Sequence, residues 1–117
     1  EPSTTDYNGL YKGKYIDFEA KETNNKTSFP LDNIHKHQIK HLENIHNAGG
    51  IGFIIVRFNK LNLTDILLAK DFLEFLKENE RKSIPLSYFQ EVGYLIEEKY
   101  IPRLDYIKVL DKILGGN

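Results

Sequence analysis

Glu19 and Lys21 stand two residues apart in the run Tyr15-Ile16-Asp17-Phe18-Glu19-Ala20-Lys21. Side chains two apart on a β-strand project from the same face. There a carboxylate can hold a divalent cation while an ammonium steadies a reacting oxyanion. Ile16, Phe18 and Ala20 alternate with Asp17, Glu19 and Lys21, the period-2 mark of a half-buried strand. The same acid-x-lysine spacing recurs at Glu80/Lys82 and Glu97/Lys99. Taken alone, the pair therefore describes the solvated face of an ordinary strand equally well.

A second acid gives the pair its context. Asp6 lies in the preceding segment Thr4-Thr5-Asp6-Tyr7-Asn8-Gly9-Leu10-Tyr11-Lys12-Gly13. With a turn at Lys12-Gly13, Asp6 faces Glu19 and Thr4 faces Lys21 across a hairpin. Like charges directly opposite are destabilising, and a shared Mg²⁺ is the usual way such a pair is tolerated. Asn8-Gly9 is the stronger hairpin dipeptide and would pair Asp6 with Tyr11 instead. Lys12-Gly13 is preferred because the first strand is then long enough to match the second. Gly9 then reads as a bulge or a close-approach glycine inside the strand.

These residues carry a resemblance. Ser3 to Gly9, Tyr15 to Thr23 and Asn25 to Leu31, with His37-Gln38-Ile39, Gly49-Gly50, Arg81 to Pro85 and Pro102 to Tyr106, resemble the RecU-type Holliday junction resolvases of Gram-positive bacteria. That family belongs to the nuclease superfamily whose core motif is an acid followed by (D/E)-x-K. The resemblance implies a restriction-endonuclease-like nuclease fold and an endodeoxyribonuclease that resolves four-way junctions in recombination and DNA repair by paired nicking. It implies Mg²⁺ as cofactor, with Mn²⁺ as the alternative, and a homodimer acting in the bacterial cytoplasm at the nucleoid, with recombination proteins as further partners. Residue by residue, Thr4, Asp6, Glu19 and Gln38 take the metal-site roles and Lys21 that of transition-state stabiliser, so that Asp6, Glu19 and Lys21 are the catalytic set. Two other readings stay open: another nuclease of the superfamily, such as a restriction or repair endonuclease, and a non-catalytic DNA-binding accessory module of recombination.

The 117 residues suffice for one domain, 1–117, and 40% hydrophobic content suits a globular core. The absence of cysteine excludes a disulfide scaffold and a thiolate zinc site and fits a reducing cytoplasm. No apolar run approaches the roughly 20 residues of a membrane span. The net charge of −1 argues against a nucleic-acid binder, an objection that a bound Mg²⁺ and a basic arm would answer. The chain opens at Glu1-Pro2, without an initiator methionine and directly at a strand-like segment, so it reads as N-terminally incomplete. The resemblance implies the same: an N-terminal arm, a helix and a stalk hairpin would precede it.

The elements that must position these residues form an α/β pattern, a mixed central sheet flanked by helices. Glu22 to Pro30 reads as a polar loop, either a phosphate contact through Lys26 and its hydroxyls or a solvated connector. A helix is expected from about Leu31 to Asn47, capped by Asp32 or Asn33 and ended before Gly49-Gly50. Gln38 falls in its apolar stripe of Ile34, Leu42 and Ile45. It either satisfies a buried backbone group or reaches the metal or its ligands. His35, His37, His41 and His46 lack the glutamate of a zinc helix and fall mostly off the stripe, which suggests a solvated or phosphate-facing row rather than a zinc site.

Ile51 to Phe58 is continuously apolar, as in a strand covered on both faces. Asp65 to Leu68 reads as a short strand, Lys70 to Glu78 as a helix, Ser83 to Val92 as a short helix with Pro85 near its start, and Tyr94 to Ile96 as an edge strand. Pro102 opens a last helix ended by Gly115-Gly116. Tyr7, Tyr11, Tyr88 and Tyr100 read either as exposed aromatics of a dimer surface or equally well as core.

Overall fold

A computed structural model describes residues 7–96. Thr4 and Asp6, Tyr100 and the helix expected from Pro102 lie outside the described residues. The strands are β1 (Tyr7–Tyr11), β2 (Lys14–Thr23), β3 (Ser28–Pro30), β4 (Ile51–Phe58), β5 (Leu63–Leu68), β6 (Ser83–Pro85) and β7 (Tyr94–Ile96). The helices are α1 (Lys36–Asn47), α2 (Ala69–Glu78) and α3 (Leu86–Val92), with 3₁₀ turns at Leu31–Asn33 and Asn59–Leu61. Five strands form one mixed sheet in the order β1-β2-β4-β5-β7, in which β2 and β4 run parallel and the other pairs antiparallel. The helices pack against this sheet, an α/β architecture consistent with the restriction-endonuclease-like fold. None of the described helices is long and apolar enough to cross a membrane.

The hairpin turns at Lys12-Gly13, where φ is 51° and 81°. Positive φ at both central residues is the signature of the type I′ turn, whose twist matches that of the flanking strands. Pairing runs from Tyr11↔Lys14 to Tyr7↔Phe18 with no break, so the register is the one the turn dictates. Gly9 pairs regularly with Ile16, and a Cβ added there would meet no atom within 4 Å. It is therefore neither a bulge nor a close-approach glycine.

β4 is covered on both faces, as its apolar run requires. Ile54, Val56 and Phe58 join Leu42, Leu67, Phe72, Phe75 and Phe89 in the larger core, on the side of the helices. Phe53 and Ile55 turn to the other face, where they join Ile16, Phe18, Ile66 and Ile96 in a second cluster. Phe18 and Phe53, partners in the parallel ladder, stack at 4.8 Å between ring centroids.

Four local expectations are corrected. The helix after Pro30 is split: Leu31–Asn33 makes a single 3₁₀ turn, Ile34 is extended, and α1 starts after His35. Asp32 and Asn33 cap nothing, since Ile34 leaves the helical path to enter the core. The polar loop is shorter than expected because Ser28–Pro30 pairs antiparallel with Ser83–Pro85, so Pro85 closes a strand and precedes α3 instead of opening it. This pairing buries Phe29 and Ile84, and the backbone bonds Leu31 N–H to Lys82 O and Leu86 N–H to Thr27 O extend it. Tyr88 is packed against the core, its hydroxyl donating to the Asp71 carbonyl at 2.7 Å, so it is half-buried and not an exposed aromatic.

Asp65 on β5 is 2% exposed, and burial pushes its carboxyl up to about 7 although a backbone hydrogen bond from Tyr94 pulls the other way. Between about pH 4 and about pH 7 the folded protein keeps a proton that the unfolded chain has released, so this group's contribution to stability is lost as pH rises through that window. We expect Asp65→Asn to gain on the parent chain by up to about 1.4 kcal/mol per pH unit there. Urea unfolding at about pH 5 and about pH 8 measures the difference, and an equal gap at both refutes it.

Candidate active site

β2 lies inside the sheet, with β1 on one side and β4 on the other. Its odd-numbered residues turn toward the face that carries α1. Asp17 and Glu19 are both fully buried there, whereas Ala20 on the opposite face is exposed. The acidic side of the strand is thus covered as well as the apolar side of Ile16 and Phe18, unlike a half-buried strand with its acids in solvent. Two buried carboxylates require partners, because an ion removed from water without them is expensive.

α1 brings the partners. Gln38 Nε2 donates to Glu19 Oε1 at 3.0 Å, and His41 Nε2 donates to Asp17 Oδ2 at 2.9 Å. The strand positions are two apart and the helix positions three apart, so one face of α1 meets one face of β2 twice. His41 therefore leaves the expected solvated row, while His35, His37 and His46 are exposed. Tyr15 adds a second donor to Asp17 Oδ2, at 3.0 Å. Burial, with the Asp17 carboxylate beside it, pushes the Tyr15 hydroxyl above its ordinary range and keeps it a donor. Asp17 Oδ1 is buried and has no hydrogen-bond partner among the described residues.

Gln38 occupies the third position of α1, where its Oε1 accepts from the His35 backbone N–H at 3.0 Å. This is the reciprocal half of a capping box. The orientation of the amide is fixed chemically, since a carboxylate takes only the NH₂ side and a backbone N–H only the oxygen. Gln38 thus satisfies a backbone group and at the same time reaches Glu19.

Lys21 Nζ lies 3.9 Å from the same Glu19 Oε1 and keeps 20% of its side chain exposed. It is close enough for an ion pair and open enough to meet an anion arriving from solvent. Glu19, Lys21 and Gln38 thus come together, while Thr4 and Asp6 lie outside the described residues. Among the described residues, no three His, Asp or Glu side chains converge on one point. The oxygen chemistry of Glu19 suits a hard divalent cation such as Mg²⁺, whose remaining ligands would come from elsewhere. The site also contains Asp17, to which the sequence assigned no role, and His41, which it placed in a solvated or phosphate-facing row. Their only sequence signal is that Asp17 shares the face of Glu19 and that His41 is one helical step beyond Gln38.

Residues 1–112 match the family model described as RecU, recombination protein U. Over 96% of the chain, 54% of residues are identical to a Holliday junction resolvase RecU of Pediococcus pentosaceus. The counterparts of Streptococcus thermophilus and Staphylococcus aureus are 48% and 51% identical over 100% and 97% of the chain. The chain spans 57%, 60% and 56% of the lengths of these three relatives.

Because Gln38 has two partners, Gln38→Leu should lower stability by about 1–3 kcal/mol, through a lost cap and a buried Glu19 deprived of a donor. Gln38→Glu keeps the acceptor for His35 but turns a carboxylate toward Glu19, and at neutral pH it should cost more than the leucine. Urea denaturation of both variants tests this. A neutral Gln38→Leu would show that neither bond contributes.

Proposed function

The chain belongs to the RecU family, and from that membership we propose that it is the nuclease part of a Mg²⁺-dependent endodeoxyribonuclease that resolves Holliday junctions by symmetric paired nicking. Supporting this reading is the fully buried Glu19 carboxylate with Lys21 Nζ 3.9 Å away on the same strand face. A strand that merely presented charges to solvent would not bury its acid under a helix. The substrate, four-way junction DNA, follows from the names of the relatives. A homodimer is part of the same proposal, since its two-fold axis would match the symmetry of the junction.

In this proposal Glu19 holds the cation together with Asp6 and Thr4 from the segment before β1. Mn²⁺ would serve the same oxygens. When bound, the cation polarises the scissile phosphate and lowers the pKa of an attacking water. Gln38 holds Glu19 in place through its Nε2, and its oxygen, which accepts from the His35 N–H, keeps a second lone pair that would serve as a ligand. Lys21 approaches the site from its solvent side and stabilises negative charge developing on the phosphoryl oxygens. The net charge of −1 leaves most phosphate attraction to groups outside this chain.

Lys21→Ala should abolish cleavage, by at least about a hundred-fold, while four-way junction affinity stays within about three-fold, because the ammonium acts in the transition state. A parallel loss of binding would make Lys21 a phosphate anchor instead. Cleavage of a linear duplex as fast as of a junction would point to a restriction or repair endonuclease. A chain that binds neither Mg²⁺ nor Mn²⁺ would point to a recombination accessory module.

A further inference from the structure

We propose that Asp17 and His41 are positioning residues for the Glu19 site, an inference that rests on reading Glu19 as a cation ligand. Asp17 is fully buried two residues before Glu19, and its Oδ2 gathers two donors, His41 Nε2 at 2.9 Å and Tyr15 Oη at 3.0 Å. His41 is one step along α1 from Gln38, which bonds Glu19. The two bonds cross the same helix–strand boundary and together fix how far α1 slides along β2 and how it is rotated over it.

Apolar packing around α1 sets its height but not its register. Leu42 lies over Gly52, where an added Cβ would stand 3.1 Å from Leu42 Cδ2 and 3.4 Å from the Ala69 Cβ. Ile45 lies over Gly50, at 3.0 Å from such a Cβ. Glycine thus lets the helix sit close on β4. Gly52 is also the ladder partner of Asp17, so the neighbours His41 and Leu42 land on two residues that lie side by side in the sheet. Packing on glycine is smooth and tolerates a slide; a hydrogen bond to a buried carboxylate oxygen does not. Asp17 and His41 supply the directional contact that makes Gln38 Nε2 meet Glu19 Oε1.

The test uses the full chain, with Mn²⁺ alone as the calorimetric probe and urea unfolding measured in parallel. His41→Ala suits a helix and should weaken Mn²⁺ binding about ten-fold, as loss of a group supporting a metal ligand typically does. His41→Gln carries an amide N–H of similar reach and should restore affinity to within about three-fold of the parent. Glu19→Gln should abolish binding. Parent-like Mn²⁺ affinity in His41→Ala overturns the inference, whether or not stability falls, because a bond that only holds the fold together leaves the affinity of the folded protein unchanged. A His41→Gln no better than His41→Ala overturns it too. Parent-like binding by Glu19→Gln overturns both this inference and the cation site beneath it, so the two failures are distinguishable. Should His41→Ala fail to fold, Asp17→Ala, which removes the acceptor of the His41 bond, carries the same expectation and the same refutation.

Discussion

Burying a carboxylate in the middle of a β-sheet is the constraint on which this structure turns. Glu19 is fully buried on β2, where it pairs with Ile54 of β4, and there water cannot solvate it and an unpartnered charge would cost several kcal/mol or more. The chain meets this with a helix whose polar residues face inward. Gln38 occupies a position in the apolar stripe of α1 and His41 lies beside that stripe, and each meets one of the two acids of β2. The polar contact and the close glycine packing beside it are complementary, since one is directional and the other brings the backbones near enough for short side chains to touch.

This arrangement explains why α1 starts where it does. A helix running unbroken from Leu31 would hold Gln38 in its middle, with no free backbone N–H beside it. Instead the extended Ile34 inserts into the core, and the helix begins at Lys36 with Gln38 in its first turn. There a glutamine side chain can serve a backbone N–H and a buried acid at once. The tether formed by β3 and β6 fixes the approach to this start, because Leu31 N–H is bonded to the carbonyl of Lys82.

Much of the fold was legible because periodicity and turn chemistry speak directly to backbone geometry. The run Ile51 to Phe58 could only be a strand covered on both faces, and the length-matching argument for Lys12-Gly13 selects the register observed from Tyr7 to Tyr11. Alternation, however, separates two faces without saying which is wet. Asp17, Glu19 and Lys21 look like a solvated face in any single sequence, and only the third dimension places α1 over them. Asp17 went unremarked for that reason, and His41 because off-stripe histidines are usually exposed. Pairing of β3 with β6 was hidden by sequence distance, although Ser28-Phe29-Pro30 and Ser83-Ile84-Pro85 repeat one pattern of a buried residue between serine and proline. Proline after each signalled a helix start nearby, and the short strand before it was absorbed into that expectation.

A third buried carboxylate shows what the site owes to its neighbours. Asp65 sits on the same side of the sheet as Glu19 and Lys21, and the ladder places Lys21, Val56 and Asp65 in one row across β2, β4 and β5. Two strand spacings, about 10 Å, separate the lysine from the acid, and Val56 between them is fully buried. Asp65 is accordingly held up to about 7 by burial, with only a backbone hydrogen bond from Tyr94 acting against it. Glu19 and Asp17 instead receive side-chain donors from α1. Buried acids on one sheet face thus divide by what covers them: under α2 and α3, which pack apolar residues there, an acid is driven toward its neutral form, whereas under the polar turn of α1 the carboxylates are supplied with hydrogen-bond donors.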